Sequence, residues 1–197
     1  MKQNEEDYES KCLCVLVLDT SGSMKVNDTI ENLNSALKRF KQVIEHDTVT
    51  RDRLEVSIVT FDSAIRVVQQ PSKLPKITMP ELVAHGCSLI VPAIEKAQDI
   101  IIEREQYYKS QGIPYYRSMI IVITDGDPYP SNQDIEGLSI KIKNDVDKHK
   151  YIFTIIGVGD IQESVMSSLS SNQMPALKKI PISQIHFEEF FDFLSQS

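Results

Sequence analysis

A mainly parallel, doubly wound α/β sheet with helices on both faces is what three features of this sequence predict. Short apolar runs alternate with amphipathic stretches along the chain, which implies strands alternating with helices. Cys12 to Leu18 and Ser118 to Thr124 are apolar without the alternation of a half-exposed strand, as strands covered on both faces are. Leu54 to Phe61 is joined to Ala64 to Val68 by the short Asp62–Ser63 turn, a hairpin that supplies one antiparallel edge strand.

The elements follow in order. Residues 1–10 form a polar extension and 11–197 a single domain, the size that one hydrophobic core suits. After the first strand, Ile30, Leu33, Leu37, Phe40 and Ile44 recur at three- and four-residue spacing. They mark one face of a helix, with Asp28 and Glu31 placed to form its capping box. A second helix is expected from about Ser88 to Lys109, with Ala93, Ile94, Ala97 and Ile101 inward. Pro92 must lie in its first turn, because deeper it would break the hydrogen-bond ladder, and this sets the start near Ser88. The strand ending at Thr124 precedes a helix with Ile135, Leu138, Ile142 and Val146 on one side, then a strand from Tyr151 to Val158. A short helix from Ile161 to Leu169, a minor strand near Leu177 to Ile182 and a last helix with Phe187, Phe190, Phe191 and Leu194 complete the pattern.

Composition narrows the function classes. Apolar residues make 41% of the chain and charged residues 25%, the balance of a globular domain rather than a disordered one. A net charge of −7 offers no basic surface to release counterions from phosphates, so nucleic acid is not an expected partner. The basic pair Lys178–Lys179 is too short to change that. An acidic surface instead attracts cations or basic partners. Met1 to Lys11 has no apolar signal core, and no apolar run approaches the ~20 residues that span a bilayer. The three cysteines are odd in number, and Cys12 and Cys14 lie inside an apolar run. Free buried thiols in a reducing compartment are expected, and with them a cytoplasmic location.

In a doubly wound sheet the ligand sits beyond the carboxyl ends of the strands, where strand order reverses. Asp19-Thr20-Ser21-Gly22-Ser23 stands directly after the first strand, and Asp125-Gly126-Asp127-Pro128 directly after Thr124. Carboxylates and hydroxyls are hard oxygen ligands that suit Mg²⁺, Mn²⁺ or Ca²⁺ better than zinc. In an extended turn Asp19, Ser21 and Ser23 alternate and can point to one side, and Gly22 would let the backbone curl around a small ion.

Asp19-x-Ser21-x-Ser23, with Thr124-Asp125-Gly126 after a later strand, resembles the metal-ion-dependent adhesion site of von Willebrand factor A domains. The resemblance runs from about Lys11 to Leu194. It is most detailed toward the small bacterial TerY-type proteins of tellurite-resistance and related stress systems. Val17 to Met24, Thr60-Phe61-Asp62-Ser63, Ile123 to Pro128 and Phe187 to Phe193 carry that closer likeness. The resemblance implies one divalent cation, Mg²⁺ or else Mn²⁺ or Ca²⁺, with Ser21 and Ser23 as direct ligands. It makes Asp19 and Asp125 acids that act directly or through water. The family's threonine from a middle loop falls in His85-Gly86-Cys87-Ser88-Leu89, where Ser88 keeps the hydroxyl. It further implies a binding module whose partner protein completes the coordination with an Asp or Glu, alongside kinase- or phosphatase-like components of a stress system.

Plainer roles stand beside these. Asp-x-Ser-x-Ser also suits a turn with a helix cap, and Ser88 an N-cap. Asp62 and Asp127 fit turn positions or an acidic rim. The four histidines show no metal-binding spacing, Cys12-x-Cys14 is not a redox pair, and Gly157-Val158-Gly159 lacks the third glycine of a dinucleotide loop. An aspartate after a buried strand also suits a magnesium-dependent phosphohydrolase of the haloacid dehalogenase type. That chemistry uses a second Asp two residues on as general acid, and here the position is Ser21. A docking subunit of a chelatase-like assembly is a third reading, with any ATPase on another chain.

Overall fold

Alternate side chains of the first strand enter two different cores, which is why its sequence is apolar without interruption. In the computed structural model this strand, β1 (Cys12–Asp19), is buried throughout. Cys12, Cys14, Leu16 and Leu18 pack with Ile30, Leu33, Leu37, Phe40 and Ile44 of helix α1 (Thr29–His46) on one face. Leu13, Val15 and Val17 face the other way, toward Ala93, Ile94, Ala97 and Ile101 of α3 (Ile90–Gln111) and Leu138, Ile142 and Val146 of α4 (Ile135–Asp147). The structure describes residues 9–46, 48–125, 134–158, 169 and 177–178.

The remaining strands are β2 (Leu54–Phe61), β3 (Ile65–Lys73), β4 (Met119–Thr124), β5 (Ile152–Gly157) and β6 (Leu177–Lys178). Their order across the sheet is β3-β2-β1-β4-β5-β6. All neighbours run parallel except β2 and β3, so the expected doubly wound sheet with one antiparallel edge is the observed one. Strand order reverses between β1 and β4, where Leu18 pairs with Ile123, so the two strands end side by side. That places Asp19 beside Thr124 and Asp125, at the crevice where such folds bind ligands.

Four details depart from the sequence reading. The Asp28–Glu31 capping box does not form. A 3-10 segment, Gly22–Asp28, leads into α1, and Asp28 has φ 55° rather than the extended backbone of an N-cap. A six-residue helix, α2 (Thr48–Arg53), precedes β2 and buries only Thr50, so apolar periodicity could not reveal it. β3 continues past Val68 to Lys73 because an edge strand tolerates Pro71, and its register with β2 shifts between Val56 and Ile58 to absorb the irregularity. Finally, α3 begins at Ile90, with Pro92 still inside the first turn. Asp127, the helix expected over 161–169 apart from Leu169, and the last helix lie outside the described residues.

At the opposite end of the sheet from β1's carboxyl end, buried Glu55 accepts a two-pronged bond from Arg104 at 2.7 and 2.8 Å and a third from the Tyr108 hydroxyl at 2.6 Å. Burial, reinforced by the Glu55 charge, pushes the Tyr108 phenol up. Cys12 and Cys14 are buried free thiols, and Cys87 is free and half-buried. Burial pushes the Cys12 thiol up to about 12, which keeps it protonated and inert at neutral pH. Among the described residues no helix is long and apolar enough to cross a membrane.

Candidate functional site

Asp19 is the centre of the candidate site, and it is fully buried at 0% exposure. One carboxylate oxygen, Oδ1, accepts the Ser21 amide at 2.8 Å. The other, Oδ2, accepts the hydroxyls of Thr124 at 2.6 Å and Ser88 at 3.3 Å. Three chain segments therefore converge on one carboxylate. Burial raises its pKa to about 6, against the opposing hydrogen bonds from Ser21 and Thr124, and the Asp125 charge adds to the rise.

Ser21 and Ser23 follow at alternate positions, and their Oγ atoms lie 3.0 Å apart, so the expected convergence of the two hydroxyls is present. Ser21 is buried at 2%, whereas Ser23 is exposed, so the cluster opens to solvent on the Ser23 side. Gly22 serves a different purpose from the one its type suggested. Its φ lies outside the left-handed region, so no tight curl requires glycine. Its amide instead donates to the Gly86 carbonyl at 3.0 Å, and a Cβ there would stand 3.3 Å from that same oxygen.

The middle loop is held by contacts the sequence did not advertise. Gly86 adopts φ +74°, a left-handed conformation suited to glycine, and a Cβ on it would fall 2.3 Å from the Ser63 hydroxyl. The Asn34 amide, buried on α1, donates to the Leu82 carbonyl at 2.9 Å and accepts the Leu82 amide at 2.8 Å. This pair fixes the chain that leads to Ser88, itself buried at 2%.

All five residues singled out from sequence, Asp19, Ser21, Ser23, Ser88 and Asp125, thus lie at the carboxyl ends of β1 and β4 or on the loop laid across them. Asp125 directly follows β4, is 6% exposed, and is close enough to Asp19 for its charge to be felt there. Sequence reasoning alone misses Thr124, Gly86 and Asn34 as residues of the site. Of these, Thr124 could have been found from pairing alone, since any strand beside β1 in this register ends opposite Asp19. Among the described residues no three His, Cys, Asp or Glu side chains gather as a metal cluster. The donors here are carboxylates and hydroxyls, and such oxygens fit a hard divalent cation.

The von Willebrand factor type A domain matches over residues 14–186. No curated protein matches the chain. Solved structures share the fold. Proximal thread matrix protein 1 from the mussel byssus, in a form with a zinc-occupied MIDAS motif, is 17% identical with a TM-score of 0.61; the match covers 95% of this chain and 46% of that one. The pilus adhesin SpaC from Lactobacillus rhamnosus GG, in its open conformation, is 13% identical with a TM-score of 0.69, over 95% of this chain and 30% of that one. An aerotolerance-related membrane protein from Bacteroides fragilis, with multiple mutations to serines, is 15% identical with a TM-score of 0.62, over 94% of this chain and all of that one. The present chain spans less than half the length of the mussel protein and of the adhesin. By a match that runs from within its first strand to residue 186, the chain belongs to the von Willebrand factor type A domain family.

Proposed function

We propose that this domain holds one divalent cation, Mg²⁺ or else Mn²⁺ or Ca²⁺, and binds a partner protein through it. Von Willebrand A domains often carry a metal-dependent adhesion site and mediate protein binding. In this reading Ser21, Ser23 and Ser88 supply hydroxyl ligands, and Asp19 and Asp125 supply charge, directly or through water. The observation that carries it is the pair of hydroxyls 3.0 Å apart beside a buried carboxylate, with the outer one, Ser23, open to solvent. Neutral hydroxyls leave a bound cation incompletely neutralised, so that it supplies an electrophilic point for an oxygen of a partner's Asp or Glu. Ser23's exposure leaves room for that group to approach.

The finer reading rests on the stretches 17–24, 60–63, 123–128 and 187–193. They support a cytoplasmic adaptor of a bacterial tellurite or stress-response system, working beside kinase- or phosphatase-like components. A docking piece of a chelatase-like assembly would use the same site. A phosphohydrolase is less well supported, because a nucleophilic Asp19 would have to reach phosphorus from 0% exposure.

Affinity capture tests the proposal. Wild-type protein is expected to retain a partner from lysate in Mn²⁺ and to lose it in EDTA, while Ser21→Ala retains none in either. Equal capture under all four conditions would overturn it, and turnover of a generic aryl phosphate would favour the enzyme.

A further inference from the structure

We infer that the turn between β2 and β3, through Asp62 and Ser63, sets the spacing of the two loops that carry Ser21, Ser23 and Ser88. It thereby tunes cation affinity without touching the ion. The inference rests on the cation-binding reading above and extends it to positioning residues outside the five ligands.

Asp62 is buried at 2%. Its Oδ1 accepts the Ala64 amide at 2.9 Å, which closes the turn itself. Its Oδ2 accepts hydrogen bonds from Thr20 Oγ1 of the first loop at 3.3 Å and Arg66 Nη1 of β3 at 2.7 Å, and lies 3.3 Å from His85 Nδ1 of the middle loop. Its own carbonyl accepts the Leu89 amide at 3.3 Å, one residue beyond Ser88. Ser63 adds to the same seam, because its hydroxyl accepts the Cys87 amide at 3.0 Å and lies in the space that only a glycine at position 86 leaves free. Two backbone bonds then join the loops directly, His85 N–H to the Thr20 carbonyl at 2.8 Å and Gly22 N–H to the Gly86 carbonyl at 3.0 Å. Residues 20–23 and 85–89 are therefore laced both to each other and to the short turn that carries Asp62 and Ser63.

The consequence follows from chemistry. Burial alone would raise the Asp62 carboxyl, but the Arg66 bond, the Ala64 amide and the nearby His85 hold it below the usual carboxylate value, so it stays a charged acceptor. An amide in its place presents a donor nitrogen to the Arg66 guanidinium, which can only donate, or, flipped, to the Ala64 amide. Either orientation loosens the seam, and with it the spacing of Ser21, Ser23 and Ser88, although none of Asp19, Ser21, Ser23, Ser88 and Asp125 is itself substituted. Groups that orient metal ligands in this indirect way are typically worth about 10- to 100-fold in affinity.

Mn²⁺ titration of the full chain by calorimetry, combined with amide exchange in EDTA, tests the inference. Asp62→Asn and the milder Ser63→Ala are expected to bind Mn²⁺ at least about tenfold more weakly than wild type. In EDTA both are expected to exchange the Gly22 and His85 amides faster, a change read without any metal. Lower thermal stability with wild-type Mn²⁺ affinity would mean a merely structural turn and would overturn the inference. Wild-type amide exchange in both variants would do the same. Should wild type itself bind no Mn²⁺, the cation-binding reading falls and the inference falls with it. Should wild type and both variants bind equally, only the inference falls.

Discussion

Asp19 carries a cost in the metal-free protein. Its carboxyl, pushed up to about 6 by burial from an ordinary value near 3.8, holds its proton more tightly in the folded chain than in the unfolded one. Its favourable contribution to stability is therefore complete below the unfolded value, falls as pH rises between about 4 and 6, and is gone above that. At neutral pH a buried negative charge remains beside Asp125, and a cation would relieve it. Asp19→Asn removes that charge, while its amide can still accept from Ser21 and donate to the rotatable hydroxyls of Thr124 and Ser88. In EDTA at pH 7 this variant is expected to be more stable than wild type by on the order of 1–3 kcal/mol, with the gap closing toward pH 4. Urea denaturation at the two pH values checks it, and an unchanged gap would show that the charge is not the cause.

The elements place these residues by ordinary packing. The β1 and β4 runs told of doubly covered strands with Asp19 and Asp125 at their carboxyl ends, but that the two strands are neighbours is settled only by their pairing. Ser21 and Ser23 were legible because alternation in an extended turn is a local property. What connects separate loops was not legible. Gly86 is required by a clash with Ser63, 23 residues away along the chain, and Asn34 by the backbone of Leu82. Neither has a sequence signature, since any glycine or asparagine looks the same until its distant partner is known. The failed Asp28–Glu31 cap has a local cause: the 3-10 segment after the Asp-x-Ser-x-Ser motif brings the chain into α1 through two left-handed residues, Asn27 and Asp28. The Asn34 clamp gives this scale its prediction. Asn34→Ala leaves both Leu82 backbone groups without their buried partner, and is expected to cost roughly 1–3 kcal/mol by denaturation and to weaken Mn²⁺ binding through Ser88's loop. Unaltered stability would show that water replaces the amide there.

Across the whole molecule the two ends of the sheet do different work. The Glu55–Arg104–Tyr108 cluster is a closed set of satisfied charges that ties α3 to β2. The other end gathers carboxylates and hydroxyls from three chain segments around Asp19 and leaves Ser23 facing solvent. A ligand that binds only this gathered arrangement must raise the stability of the entire fold, by about 2.7 kcal/mol at a hundredfold excess over its dissociation constant. For a domain of this size that corresponds to roughly 5–10 °C. Thermal unfolding in saturating Mn²⁺ against EDTA, for wild type and Ser21→Ala side by side, therefore bears most directly on the cation site. An upward shift of that size in wild type with none in Ser21→Ala is the expected result. Coincident melts of wild type with and without the metal would contradict it.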